Sequence, residues 1–182
     1  MRIRVTGATP LNGTFTPASN PNAAKALLAA TMLSDKTATL RHVPRNTSTS
    51  HLFSAAASLG ASLNWTEPQT LNITTEALTA RTLDRDLVSG AVGALLFLPA
   101  LIVRRHHVRV EVSFPLNRIR THLDVIRDLG LDVMTMAGAV EFRSNRWASK
   151  DVIMDTPSVT ATAIGLMLAA TLGEHTIIRN AA

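Results

Sequence analysis

The sequence has no cysteine and no tyrosine, and aromatic residues make up only 4% of its 182 residues. Because cysteine is absent, the chain offers no disulfide, no thiolate nucleophile and no cysteine-type zinc site, which is typical of a reducing compartment and predicts a cytoplasmic protein. The few aromatic side chains leave few surfaces on which bases could stack. We therefore expect no nucleic-acid binding, although the net charge is +5 and residues 104–109 (RRHHVR) are strongly basic.

An apolar content of 46% predicts a folded globular protein with one substantial core. The N-terminal stretch MRIRVTGATPLNG alternates like a strand and lacks the apolar run of a secretory signal, so export is not indicated. His106 and His107 are neighbours in a predicted strand and point to opposite faces. With arginines beside them, they predict no metal site.

Residues 87–103 (LVSGAVGALLFLPALIV) carry no charge and are followed at once by arginines. A positive flank is typical of a membrane anchor. A helix of this length would span about 26 Å, less than the ~30 Å of the hydrocarbon layer, and it would contain Pro99 and two glycines. A buried core helix is the alternative, and it is favoured because this helix is one of a series.

The sequence repeats itself at intervals of about 70 residues. Two stretches end alike at Gly60 and Gly130, and small apolar helices run into strands at Thr37, Val108 and Thr176, which lie 71 and 68 residues apart. Each unit is predicted to contain an Ala/Leu helix, a short strand, a polar loop, an amphipathic helix ending in Leu-Gly, and strands around a turn. The glycine occupies the position of a left-handed helix cap.

The predicted units cover residues 21–90, 91–157 and 158–182. The third unit stops after its first strand, so we expect either that the chain is a fragment or that a later segment or a partner completes it. An incomplete unit exposes apolar surface and a strand edge, which predicts self-association or a complementing second domain.

Three stretches, GTFTPASNPNAAKALLAATML, RHVP with Gly60 after it, and DTPSVTATAIGLMLAATLGEHTIIRNAA, together with the unit plan, resemble the enolpyruvyltransferase family. The resemblance covers essentially the whole chain, and a full family enzyme is more than twice as long. It implies an α/β fold, an inside-out barrel built from βαβαββ units with helices at the centre and sheets outside. Residues 1–20 would belong with the family's second domain, which this chain lacks.

The resemblance also implies a reaction. Phosphoenolpyruvate would donate its enolpyruvyl group to a hydroxyl of a nucleotide sugar, in peptidoglycan precursor synthesis, or to a nucleotide such as UMP, in nucleoside-antibiotic synthesis. No organic or metal cofactor is implied. The alternative is a truncated member without catalysis that acts as a binding or regulatory domain.

Two of the family's catalytic side chains are replaced. The family begins its first central helix with Lys-Asn, where this chain has Pro21 and Asn22, and a family cysteine acid falls nearest to Val112 or Ser113. Pro21 after Asn20 suits a helix start, with Asn20 as the N-cap, while Asn22 matches the family asparagine. Lys25 lies one turn further on, and a family arginine falls at Ala91.

The remaining candidate site residues bind substrate by resemblance. Arg118 and Arg120 precede the amphipathic helix where the family has a donor-binding arginine, and a guanidinium there would hold phosphate or carboxylate. Ser158, Val159 and Thr160 match the Ser-Val-Gly segment that contacts the acceptor nucleotide, with threonine in place of glycine. Ser158 as an ordinary N-cap is the alternative.

Overall fold

The computed structural model of the chain describes residues 2–8, 10, 12–90 and 92–182, and over these ranges it forms six α-helices, two 3-10 helices and nine β-strands. The helices are α1 (Pro21–Thr31), α2 (Thr47–Ser58), α3 (Arg85–Gly90), α4 (Leu98–Arg105), α5 (Arg120–Asp128) and α6 (Val159–Leu172), with 3-10 helices at Val92–Phe97 and Leu116–Ile119. The strands are β1 (Ala38–Leu40), β2 (Ser62–Glu67), β3 (Thr70–Thr74), β4 (Thr82–Leu83), β5 (His107–Glu111), β6 (Asp132–Met136), β7 (Ala139–Arg143), β8 (Trp147–Ile153) and β9 (Gly173–Arg179).

The strand pairing repeats along the chain. The first sheet has the order β1-β3-β2, and the second has β5-β7-β6 with β4 added beside β5; β8 and β9 form a third, two-stranded sheet. In both larger sheets the last two strands form an antiparallel hairpin, and the strand that follows the apolar helix pairs with the second strand of that hairpin. The pairs β4 with β5 and β8 with β9 are parallel, each with apolar helix between its strands.

The glycine caps predicted from the repeat are confirmed. Gly60 follows α2 with φ +109°, and Gly130 follows α5 with φ +95°. In each case the residue before the glycine is the helix C-cap and the glycine turns the chain into the next strand. The sequence therefore sets both helix ends by the same local rule.

The apolar helices α1, α4 and α6 form the centre of the core, and the sheets lie around them. Leu28 on α1, Leu101 and Ile102 on α4, and Ile164 and Leu168 on α6 are fully buried. The sheets bury one face against the helices, as the alternating burial of β3 and β5 shows. Helices inside and sheets outside are the arrangement expected from the sequence.

Val88 and the side chains from Ala94 to Ile102 are buried, but the prediction of one continuous helix over residues 87–103 is wrong. The described part of this stretch is divided among α3, the 3-10 helix Val92–Phe97 and α4. Pro99 lies in the first turn of α4, where its missing N–H is tolerated and a new helix can start. Over the described residues, no helix combines the length and the apolar content that crossing a bilayer requires.

The strand predicted near the N-terminus is not found among the described residues 2–8, 10 and 12–20. Ile3, Val5 and Phe15 are exposed, with 75 to 85% of their surface accessible. Alternation of apolar and polar residues predicts a strand only where another strand supplies hydrogen bonds, and here none does. The assignment of residues 1–20 to a second domain stays a prediction.

Candidate functional site

The start of α1 is built as the sequence predicts. Asn20 is the N-cap, and its Oδ1 accepts hydrogen bonds from the backbone N–H of Asn22 at 2.8 Å and of Ala23 at 3.3 Å. Pro21 occupies the first helical position, where its fixed φ suits the helix. The side chain of Asn22 is exposed and takes no part in this cap, so it is available to a ligand.

The start of α6 also follows its predicted local rule. Ser158 is the N-cap, and its Oγ accepts from the backbone N–H of Ala161 at 3.3 Å. Val159 and Thr160 form the first turn of the helix. Ser158 is thus used as a helix cap, and the two residues after it provide the surface of the helix start.

A cavity of about 150 Å³ lies between the first turns of α1 and α6. It is lined by Asn22, Lys25, Ala26, Gly93, Leu96, Val159, Thr160 and Ala163. The structure therefore brings together three of the predicted binding residues, which are Asn22, Val159 and Thr160. Lys25 joins them because it lies one helical turn after Asn22 on the same face of α1. We call this space the helix-start cavity.

The helix-start cavity is electropositive. The N-terminus of a helix carries a partial positive charge, and neither α1 nor α6 has an acidic residue in its first turn to offset it. Lys25 adds a full positive charge, and none of the lining residues in the described chain is acidic. This combination favours a small anion such as a phosphate or a carboxylate.

Lys25 is held in place from a third helix. Its Nζ donates a hydrogen bond of 2.5 Å to Oγ of Ser48, in the first turn of α2. An ammonium group has three donors, so two remain for a ligand. Within the described residues Lys25 forms no salt bridge, and its charge is balanced by no neighbouring carboxylate.

A buried histidine lies behind the wall formed by Thr160. His122 on α5 is only 7% exposed, and its Nε2 lies 2.7 Å from Oγ1 of Thr160. Burial lowers the pKa of His122 below its ordinary value of 6.5, and the backbone carbonyl of Ile119 opposes part of that shift. The imidazole is therefore neutral at physiological pH.

The two predicted arginines do not line the helix-start cavity. Arg118 lies in the 3-10 helix Leu116–Ile119, with its guanidinium 5.1 Å from the centre of the Phe114 ring. Arg120 begins α5, and its Nε is 3.3 Å from Oδ2 of Asp124. Arg120 faces a separate groove that also contains Asp128 and Asp155, an acidic lining that disfavours anions.

Val112 and Ala91 stand where the family has a cysteine and an arginine. Val112 follows β5, is 5% exposed, and its backbone N–H donates to the Gly138 carbonyl at 2.9 Å. A buried valine cannot transfer a proton, so this position contributes packing only. Ala91 lies outside the described residues.

Charged residues of the basic stretch are used within the protein. Arg104 donates to backbone carbonyls, and Arg109 and His107 both contact Glu141. The His107 and Arg109 side chains lower the pKa of Glu141. The described residues contain no group of three or more histidine or acidic side chains placed to hold a metal ion.

Sequence reasoning underestimated Lys25 and missed His122, although both carry a periodic signal. Lys25 is three residues after Asn22, a spacing that puts two side chains on one helix face. His122 is three residues after buried Ile119 and four before buried Ile126, so it falls on the apolar face of α5. A polar residue at such a position needs a buried partner, and Thr160 is that partner.

Comparison with known proteins identifies the family of the chain. Residues 5–182 match the family described as EPSP synthase (3-phosphoshikimate 1-carboxyvinyltransferase). A UDP-N-acetylglucosamine 1-carboxyvinyltransferase of Bradyrhizobium diazoefficiens is 34% identical over 98% of this chain, which spans 42% of that relative's length.

Two solved structures show the same fold. The enolpyruvyl transferase NikO from Streptomyces tendae superposes with a TM-score of 0.74 at 21% identity, covering 90% of this chain and 40% of its own. An EPSP synthase from Acinetobacter baumannii gives a TM-score of 0.63 at 11% identity, covering 87% and 38%. The inside-out α/β fold predicted from the sequence is thereby confirmed, and the chain belongs to the EPSP synthase family of enolpyruvyltransferases.

Proposed function

We propose that this chain forms the donor-binding wall of an enolpyruvyltransferase site, acting with phosphoenolpyruvate and the hydroxyl of a nucleotide sugar such as UDP-N-acetylglucosamine. In this reaction the hydroxyl oxygen bonds to C2 of phosphoenolpyruvate while a proton adds to C3. Loss of phosphate and of a C3 proton then restores the double bond. The proposed setting is peptidoglycan precursor synthesis in the cytoplasm, and a nucleotide such as UMP is the alternative acceptor.

The observation that carries this proposal is the electropositive helix-start cavity. Lys25, free of any carboxylate partner in the described chain, lies among first-turn residues of α1 and α6. A volume of about 150 Å³ suits a molecule of the size of phosphoenolpyruvate. Pockets for larger ligands measure roughly 300 to 1,000 Å³, so a nucleotide sugar would extend beyond this space.

Neither predicted arginine lines the helix-start cavity, and of the two Arg118 is the one with a guanidinium free to bind an anion. Its guanidinium lies over an aromatic ring and forms no ion pair among the described residues, so binding an anion costs it no existing partner. Arg120 is already paired with Asp124 at 3.3 Å. We expect Arg118→Met to weaken binding of phosphoenolpyruvate more than Arg120→Met.

A second candidate function is ligand binding without turnover. Val112 is buried where the family resemblance expects an acid, and Pro21 replaces the expected lysine. Loss of charge-stabilising groups costs orders of magnitude in rate, because each can supply several kcal/mol. The helix-start cavity depends on neither group, so binding can persist where catalysis does not.

The decisive measurement of the proposed site is calorimetric titration of the protein with phosphoenolpyruvate. We expect Lys25→Met to weaken binding by about tenfold or more, since hydrogen bonds to a charged group contribute about 1.5 to 3 kcal/mol. Lys36→Met is the matched control, because Lys36 is exposed, lies 3.8 Å from Asp35 and does not line the cavity. Equal affinities of the two variants would contradict the proposed site.

Phosphate release separates the two candidate functions. With phosphoenolpyruvate and UDP-N-acetylglucosamine present, release of phosphate excludes the second candidate, ligand binding without turnover. Binding of both ligands without phosphate release supports the second candidate. If neither ligand binds, both candidates are wrong.

The proposal extends to a partner surface. Leu27 on α1 and Val159 and Leu166 on α6 are 53 to 57% exposed, which is unusual for large apolar side chains on core helices. We propose that a second copy of the chain or a complementing domain covers these exposed side chains. Leu27→Lys and Leu166→Lys should reduce self-association measured by light scattering.

A further inference from the structure

Asn12 and Gly13 are the one asparagine-glycine pair in the sequence. Both residues are exposed, and the described residues 12–20 form neither helix nor strand before α1 begins. An asparagine side chain can react with its own main chain, because a bond from its Cγ to the next backbone nitrogen closes a small, unstrained ring. The residue that follows the asparagine decides whether that nitrogen is accessible.

The backbone leaves the Gly13 nitrogen open to this reaction. Gly13 has φ +137°, a value that residues with a side chain rarely adopt, and a Cβ placed there would meet no atom beyond its chain neighbours within 4 Å. Its N–H donates no backbone hydrogen bond to any described residue. Neither a side chain nor a hydrogen bond therefore keeps this nitrogen away from the Asn12 side chain.

The other asparagines are restrained. Asn72 lies in β3 between two strands, and its Oδ1 accepts a hydrogen bond from Oγ1 of Thr39 at 2.8 Å. In helices and strands, fixed dihedral angles and a hydrogen-bonded N–H on the next residue oppose ring closure. The remaining ones lie in a helix or strand, cap a helix, or donate to a backbone carbonyl, and they are Asn20, Asn22, Asn46, Asn64, Asn117, Asn145 and Asn180.

We propose that Asn12 is a site of spontaneous deamidation, at which the chain converts its own amide to a mixture of aspartate and isoaspartate. The Gly13 nitrogen bonds to Cγ of Asn12, the bond from Cγ to the amide nitrogen breaks, and the proton of the Gly13 N–H leaves with that nitrogen as ammonia. Water then opens the resulting imide and returns a proton to the Gly13 nitrogen. Opening at Cγ gives aspartate, and opening at the Asn12 backbone carbonyl carbon gives isoaspartate.

The two products change the N-terminal stretch in different ways. Either one adds a negative charge, and isoaspartate also adds a carbon atom to the main chain. The added carbon displaces the alternation of side chains, so a strand cannot continue through residue 12. Asn20, the N-cap of α1, lies eight residues further along the chain. The helix-start cavity should therefore keep its shape, and this inference is independent of the proposed function.

Ageing of the whole chain at mildly alkaline pH, followed by peptide mass spectrometry, tests the site. We expect the peptide that contains residue 12 to gain the mass of an amide-to-acid exchange, with one ammonia released per conversion. Isoaspartate at residue 12 should accept a labelled methyl group from S-adenosylmethionine in the presence of an isoaspartyl methyltransferase. The peptide that contains Asn72 is the internal reference. Deamidation of Asn12 that is no faster than that of Asn72 would overturn the inference.

Two substitutions test the part played by each residue of the pair. Gly13→Val should slow deamidation of Asn12 by about tenfold or more, because a branched side chain shields the nitrogen and restricts the backbone. Asn12→Gln should abolish the methyl label at residue 12, because the longer side chain closes a ring less readily. Gly7→Val is the matched control, since Gly7 is exposed, has open space at its Cβ position and does not follow an asparagine. Equal rates in Gly13→Val and Gly7→Val would contradict the proposal.

Discussion

Arg104 offers the sharpest test of how the first two predicted units are held together. It lies in the last turn of α4, in the second predicted unit, and its guanidinium donates to three backbone carbonyls of the first at 3.2 Å or less, with a fourth, that of Ser34, at 3.5 Å. Nη1 lies 2.7 Å from the Thr75 oxygen and 3.2 Å from the Met32 oxygen, and Nη2 lies 2.8 Å from the Glu76 oxygen. Because one planar group satisfies all three, it fixes α4 against the end of α1 and the loop after β3.

Arg104→Met keeps the length of the side chain and removes the donors. Each hydrogen bond contributes about 1 kcal/mol net, so loss of the three lowers the free energy of unfolding by about 3 kcal/mol. For a chain of this size that corresponds to a fall of about 6 to 12 °C in Tm. Arg104→Lys keeps one compact donor group and should lose roughly half as much.

The assay is urea unfolding followed by the fluorescence of Trp65 and Trp147. Arg146→Met is the matched control, since Arg146 is exposed and its side chain has no hydrogen bond or ion pair in the described chain; it should change stability by less than about 0.5 kcal/mol. A change of that size in Arg104→Met would refute the reasoning. Equal stability of Arg104→Lys and the unaltered protein would show that charge alone suffices and that the fork geometry is irrelevant.

The other predictions concern backbone strain and protonation. Gly60→Ala should be more destabilising than Gly130→Ala in the same unfolding assay. Both positions have positive φ, but a Cβ at Gly60 would lie 2.5 Å from the rigid Ala77 carbonyl oxygen, whereas a Cβ at Gly130 would lie 3.3 Å from the flexible end of Lys150. Equal losses of stability in the two variants would contradict this prediction. Burial lowers the pKa of the folded-state His122, so below pH 6.5 the unfolded chain binds a proton on this side chain more readily than the folded chain does. The free energy of unfolding therefore keeps its full value above pH 6.5 and decreases as the pH falls from 6.5 towards the lower pKa of the folded state. His122→Gln should flatten that slope, and an unchanged slope would show that other groups cause it.

Local rules explain why much of the fold could be predicted from the sequence. Asn20 and Pro21 start a helix, and Gly60 and Gly130 end helices, through backbone preferences that need no distant partner. The strand order follows because the same unit is used twice. The change from 3-10 helix to α-helix within residues 87–103 was not predictable from apolar content, because a buried apolar segment can form either type of helix. Pro99 does not decide between them, since proline is compatible with a helix start as well as with a kink.

The candidate site was predictable only in part. Asn22, Val159 and Thr160 could be placed together by family resemblance, and the structure brings them to one cavity. Arg118 and Arg120 were equal candidates from the sequence, although Asp124 stands four residues after Arg120 on the same helix face and pairs with it in the structure. The contact between His122 and Thr160 joins residues 38 positions apart and depends on how α5 packs against α6, which no local rule gives.

The proposed anion binding and the family's catalysis depend on different parts of this architecture. The first turns of α1 and α6 and the second residue of the 3-10 helix, Gly93, line one cavity, so the partial charges of helix starts gather where the central helices meet. These partial positive charges come from backbone N–H groups, so they persist when side chains are substituted. Pro21 and Val112 remove groups that the chemistry would use, yet they leave the helix starts intact, and Lys25 supplies a cation one turn away. Affinity for an anionic donor is thus expected to outlast turnover in this chain, and only measuring both in the same preparation separates the two.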